Sequence, residues 1–158
     1  MKRRQWTWVL WALVAAQLVL IFVMSAQEAP ASRAMSLTVS RVVARAVTPD
    51  FDRMAAAAQA HAVERVHHAV RKGAHLLEYA MLGMFLTLAL HGTGRRRAAL
   101  AAVLLSAIWA AFDELRQLTV SGRAGLISDV WIDIAGAALG ALAARLLLAV
   151  RRALRARR

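Results

Sequence analysis

Trp6-Thr-Trp8-Val-Leu-Trp11-Ala-Leu-Val-Ala-Ala-Gln17-Leu-Val-Leu-Ile-Phe-Val-Met24 decides the class of fold, because Thr7 and Gln17 are its only polar interruptions. The hydrocarbon core of a bilayer is about 30 Å thick and a helix rises about 1.5 Å per residue, so a span needs about 20 mostly apolar residues. This run meets that requirement, and Trp6, Trp8 and Trp11 suit the membrane interface. Lys2, Arg3 and Arg4 ahead of it resemble the basic region of a cleaved signal peptide. The apolar run exceeds the roughly 7–15 residues of such a peptide, however, and no small-x-small pair directly follows Met24. An uncleaved anchor is expected.

Three more stretches approach the length of a span. One runs from about Ala74 to Leu90 with His75, Glu78 and Tyr79 near its start. Another is apolar from Ala98 to Phe112 except for Ser106, then meets Asp113 and Glu114. The last runs from Val130 to Val150, with Asp133 near one end and Arg145 near the other. Four such runs in 158 residues leave too few polar faces for a soluble bundle, and the 60% hydrophobic content exceeds the roughly 45–50% of soluble domains. The expected fold is an all-α polytopic membrane bundle of one domain over about residues 1–150. Its spans lie at about 6–24, 74–91, 98–118 and 129–150, with an outer helical segment at about 32–71 and a basic tail at 151–158. Absence of cysteine excludes disulfides, thiolate metal sites and cysteine nucleophiles.

The formal charge of +12 would suit nucleic acid, but its distribution argues for lipid. Lys2, Arg3 and Arg4, then Arg95, Arg96 and Arg97, then the five arginines after Val150 fall on one side of a four-span topology without any acid among them. By the positive-inside rule that side is the cytoplasm, so both termini are expected there, in a bacterial inner membrane. The partner is the bilayer; nucleic acid is disfavoured because the basic residues are divided among three membrane-flanking segments. Nothing in the residues specifies an oligomeric state. All nine acids fall on the opposite side.

That outer side includes a long segment broken at Thr48-Pro49-Asp50. Before the break, Met35, Val39, Val42, Val43 and Ala46 recur at helical spacing, with Ser32 as a plausible N-cap. Such a helix could lie on the outer leaflet or cover the bundle; a solvated connector is the alternative. After the break, Met54, Val63, Val66 and Val70 form a weaker stripe toward the second span. His67 and His68 read as solvated, and Arg145 as snorkelling to the cytoplasmic interface.

Helical spacing gathers the polar residues of the spans. Lys72, His75, Glu78 and Tyr79 share a face of the second span, which Gly83 continues. Ser106, Asp113 and Gln117 share a face of the third, with Glu114 about 100° away. Asp129 and Asp133 are i and i+4 on the fourth, continued by Gly136 and Gly140, a small-xxx-small pair that permits close helix approach. The topology puts all three groups at the outer end of the bundle. Ionisable residues at membrane depth are costly unless paired or hydrated, which makes this cluster a candidate site. The structural alternative is a collar in which Lys72 and Arg123 neutralise Asp113, Glu114 and Asp129 and fix helix register.

Lys72-Gly-Ala-His75-Leu-Leu-Glu78-Tyr79-Ala-Met-Leu-Gly83, Asp113-Glu114-Leu-Arg-Gln117, Gly122-Arg123 and Ser128-Asp129-Val-Trp-Ile-Asp133-Ile-Ala-Gly136-Ala-Ala-Leu-Gly140 resemble the successive motifs of VanZ-like membrane proteins. Ser25-Ala-Gln27 resembles the polar signature that follows the first helix of that family. The resemblance covers about residues 6–150 and implies a small four-span bacterial inner-membrane protein, of a family named after a member linked to glycopeptide resistance, especially to teicoplanin. It brings no established reaction. Many relatives carry proline at the position of Ser121, and asparagine often stands at that of Asp133.

For chemistry, Lys72 and Arg123 offer fixed positive charge to a phosphate or carboxylate of an envelope lipid-linked ligand. His75, oriented by Glu78 or Asp113, could move protons near neutral pH, with Glu114 as a further acid. Tyr79 and Gln117 would supply hydrogen bonds, and Asp129 and Asp133 complete the binding set. His75 and Glu78, with Asp113, Glu114 and Asp129, also form a set of nitrogen and oxygen ligands for a divalent metal, although the spacing alone favours a metal-free site. No nucleophilic serine motif, Walker loop or phosphatase signature accompanies them, so no reaction follows from the residues. Alternatives are a non-catalytic envelope-binding or scaffold protein, or a small carrier with a proton relay.

Overall fold

A computed structural model describes residues 2–94, 97–123 and 125–157, with side chains from Gln5 onward. Among the described residues the chain is all-helical: α1 (Lys2–Ala26), α2 (Ala29–Val47), a 3-10 turn (Phe51–Arg53), α3 (Ala56–Gly92), α4 (Ala98–Gln117) and α5 (Ile127–Ala156). α1, α3, α4 and α5 are each long and apolar enough to cross a membrane. The basic residues Arg95, Arg96 and Arg158, and the side chains of Lys2, Arg3 and Arg4, lie outside the described residues.

The distribution of side chains is the reverse of a soluble protein. Gln17, Ser25, Thr87, Ser106, Asp113, Glu114, Gln117, Asp129 and Asp133 are buried, while Leu13, Val19, Phe22, Leu104, Ile108, Leu142 and Leu146 are exposed. Large apolar side chains facing outward along α1, α4 and α5 form a surface that lipid can cover, and polar groups turn inward where they can meet one another. The interior is built largely from small residues. Ala102 and Ala110 on α4 and Ala137, Ala141 and Ala144 on α5 are buried together with Tyr79, Leu82, Leu86 and Ala89 of α3.

The closest packing is between α3 and α5, and glycine makes it possible. A Cβ atom at Gly136 would strike the carbonyl oxygen of Leu76, one at Gly140 that of Ala80, and one at Gly83 that of Ala137. The small-xxx-small stripe therefore works as its spacing predicts, bringing backbones together where any side chain would hold them apart.

The outer segment differs from its expected form in three ways. First, α3 is continuous from Ala56 to Gly92, so the second outer helix and the second span are one element. Second, α2 starts upstream of Ser32: Glu28 occupies the N-cap and a proline lies in the first turn, where its fixed φ and missing N–H suit a helix start. Ser32 instead accepts a hydrogen bond at its hydroxyl from Arg123, at 2.5 Å. Third, α2 packs on α3 through small residues. Ser40 and Ala44 are buried, whereas Met35, Val39 and Val42 of the apolar stripe are exposed. Ala44 joins Phe51, Ala62 and Val63 in a second small core. This packing also corrects the reading of His67, which is buried with Nδ1 3.5 Å from Ser36 Oγ and 3.4 Å from Ser40 Oγ. The chain does break around Pro49, as expected, with Asp50 in the left-handed region at φ 52°.

Candidate functional site

The end of α1, the middle of α3, the end of α4 and the start of α5 meet at one end of the bundle. Gln17 Nε2 donates to the Glu78 carbonyl at 3.0 Å, tying α1 to α3. Ser25 Oγ donates to Asp113 Oδ1 at 2.5 Å, tying α1 to α4. Arg116, one turn beyond Asp113, approaches the same carboxylate at 3.5 Å, donates to the Phe22 carbonyl at 3.1 Å and to Ser25 Oγ, and lies 4.4 Å from the Phe22 ring centroid. Arg116, with its i+3 spacing to Asp113, is a site residue that sequence reasoning missed; Gln17, the lone polar residue deep in the first span, is another.

Asp113 and Glu114 share Gln117, whose amide donates to Asp113 Oδ2 at 3.2 Å and to Glu114 Oε1 at 3.3 Å. Glu114 Oε2 accepts the backbone N–H of Leu126 at 2.8 Å, which holds the loop before α5 against α4. Both adjacent acids are thus buried, each with its own partners.

From α3 and α5, His75 Nδ1 comes within 3.3 Å of Asp133 Oδ1. The approach lacks hydrogen-bond geometry, so His75 Nδ1 and both Asp133 oxygens are buried without a hydrogen-bond partner; the Tyr79 hydroxyl is in the same condition. Tyr79 is 1% exposed and Asp133 0%, so both belong to the interior. Donor atoms of His75, Glu114 and Asp133 all lie within 4.8 Å of one another. Each comes from a different helix of the bundle, and no linear motif joins them. Glu78, grouped with His75 by spacing, and Asp113 and Asp129, expected as further ligands from other helices, stand outside this trio.

Two cavities adjoin the cluster. One, of about 170 Å³, is lined by the apolar Met24, Met35, Val39, Val70 and Ala74 and by the polar His75, Glu78, Asp113, Ser25, Ser32, Arg71 and Arg123. The second, of about 340 Å³, shares Ser32, Arg71 and Arg123 with the first and adds His68, Lys72, Ser128 and Asp129. Lys72 and Arg123 make no ion pair with any acid among the described residues, so the neutralisation expected of a collar is supplied to Asp113 by Arg116. Burial holds the Arg123 guanidinium below its ordinary pKa, and neighbouring Arg71 acts in the same direction. Asp113 and Glu114 act the other way, and the lowering that remains is what an added negative charge beside the guanidinium would relieve.

These features define an all-helical membrane protein with a buried polar cluster at one end of its bundle and two cavities beside it that share Arg71 and Arg123. A family model described as VanZ/LLP1 matches residues 9–148. The chain belongs to the VanZ/LLP1 family. No curated protein and no solved structure matches it with significance.

Proposed function

We propose that the protein lies in a bacterial inner membrane with both termini in the cytoplasm, and that its outward-facing cavities receive an envelope amphiphile with a phosphate-bearing head. The supporting observation is the placement of Arg123. It lines both cavities, one of which is largely apolar, with no acid paired to it among the described residues. A phosphate there would meet Arg123, Arg71 and Lys72, with the guanidiniums able to bind through two N–H groups. The apolar chain would run past Met35, Val39 and Val70 toward lipid. His75, with 15% of its side chain exposed, lines the first cavity and is placed to exchange a proton with the head group.

The test is native mass spectrometry of protein purified in nanodiscs of mixed bacterial lipid. An anionic or lipid-linked phosphate species should be retained by the wild type and lost from a Lys72→Ala/Arg123→Ala double variant; equal retention by both overturns the reading. A role in glycopeptide resistance predicts that expression raises tolerance to teicoplanin and that the double variant does not.

A structural role is favoured for one part of the cluster by a specific observation, the shared use of Asp113 by Ser25, Arg116 and Gln117. Asp113→Ala removes the common acceptor and leaves Arg116 beside a buried vacancy, a change of about 3–5 kcal/mol. It should lower the detergent melting temperature markedly. The Lys72→Ala/Arg123→Ala variant should lose less, since neither side chain is paired with an acid and Arg123 gives up only its hydrogen bonds to Ser32 and to the Met24 carbonyl.

A further inference from the structure

We infer that His75, Glu114 and Asp133 form a binding site for one first-row divalent cation of the zinc or manganese type. This inference rests on the trio alone and stands whether or not the cavities accept an amphiphile.

Geometry comes first. An ion bound at about 2.0–2.2 Å by nitrogen and oxygen holds its ligands roughly 3–4.4 Å apart. The donor atoms of the three residues already lie within 4.8 Å of one another, so side-chain adjustments of no more than about 1.5 Å bring them to the spacing of about 3.3–3.6 Å in a tetrahedral shell. The distance between His75 and Asp133 is set by the backbone, because Gly136 rests against the Leu76 carbonyl and Gly140 against that of Ala80.

A second observation points to something missing from the protein's own bonding. Asp133 is fully buried and neither of its carboxylate oxygens has a hydrogen-bond partner; His75 Nδ1 is also without one. Buried polar atoms of native proteins are nearly always satisfied, and a carboxylate at membrane depth needs a counter-charge. The imidazole alone is a poor answer, since its approach at 3.3 Å does not form a hydrogen bond to the carboxylate. A divalent cation takes one donor atom from each residue, gives the buried Asp133 carboxylate a partner and balances the two negative charges of Glu114 and Asp133.

Ligand chemistry narrows the ion. One imidazole and two carboxylates suit zinc or manganese better than calcium or magnesium, which prefer all-oxygen shells. Glu114 is oriented from behind by Gln117 and by the Leu126 N–H, the kind of support that positions metal-binding carboxylates. Three protein ligands leave a coordination position open, and His75 lines the neighbouring cavity, which supplies a route of entry.

The full-length protein, purified in detergent and stripped with a chelator, should rebind close to one equivalent of zinc or manganese in a titration followed by elemental analysis. Affinity should fall at least tenfold in His75→Ala and in Asp133→Asn, and stay unchanged in Glu64→Gln, an exposed acid distant from the trio. Cobalt added to stripped wild-type protein should give visible ligand-field bands that zinc abolishes, a readout that does not depend on any variant folding. Absence of those bands together with stoichiometric binding below one half would overturn the proposal, as would binding that survives in folded His75→Ala and Asp133→Asn proteins.

Discussion

At Gly140 an added methyl group would run into the Ala80 carbonyl, whereas at Gly73 nothing lies within 4 Å of where it would stand. Both glycines are helical, so their replacement by alanine has the same intrinsic effect, a gain of about 0.5–1 kcal/mol in helix propensity. Packing decides the sign. Gly140→Ala must separate α3 from α5, and overpacking of this kind costs about 1–3 kcal/mol. Thermal melting in detergent should therefore show Gly140→Ala destabilised and Gly73→Ala neutral or slightly stabilised; a neutral Gly140→Ala would contradict the close approach of the two helices. The stripe Asp129, Asp133, Gly136, Gly140 was legible in the sequence because helical periodicity alone places those residues on one face. Arg116 was not, because its importance comes from Ser25 and Phe22 on a helix some 90 residues earlier.

Among the elements, α2 shows how charge and packing differ in weight. Arg33 and Glu64 bridge α2 and α3 at 2.9 Å, but both side chains are 55% exposed, and such pairs contribute about 0.2–1 kcal/mol. The cluster of Ala44, Phe51, Ala62 and Val63 is the stronger fastening; removing a buried phenylalanine side chain costs about 3–5 kcal/mol. Phe51→Ala should release α2, seen as faster protease cleavage and hydrogen exchange between residues 48 and 55, with the remainder of the bundle still protected. Arg33→Ala should change neither rate appreciably. The helical character of this segment was readable from its apolar spacing and from Pro49. Which face would be buried was not: periodicity marked Met35, Val39 and Val42, yet the smaller Ser40 and Ala44 let α2 approach α3 and leave the larger residues outward.

For the molecule as a whole, the orientation proposed from arginine distribution can be checked cleanly because the chain has no cysteine. Ser121→Cys, in the loop between α4 and α5, should react with a membrane-impermeant maleimide added to intact cells. Arg155→Cys, in the last turn of α5, should react only after permeabilisation. Labelling of both from the same side would overturn the four-span topology and with it the outward direction of the cavities. The structure adds a constraint of its own: Ser25, Glu78, Asp113 and Leu126 are tied together by hydrogen bonds from neighbouring elements, so whichever side receives one of these residues receives the rest.

The helical class, the number of apolar helices, the polar faces of α3, α4 and α5 and membership of a family are readable along the chain. The first three depend on local spacing along one chain segment, which a 3.6-residue period or a run of about 20 apolar residues reveals, and the last on the order of motifs along the chain. Tertiary structure alone decided which acids are paired and which are not. Asp113 receives Ser25 and Arg116, while Asp133 meets only an ill-aligned His75, because the glycines of α5 set how closely α3 and α5 pack. Partnership between charges depends on distances across helices, and those distances are set by the sizes of side chains that no single helical period records.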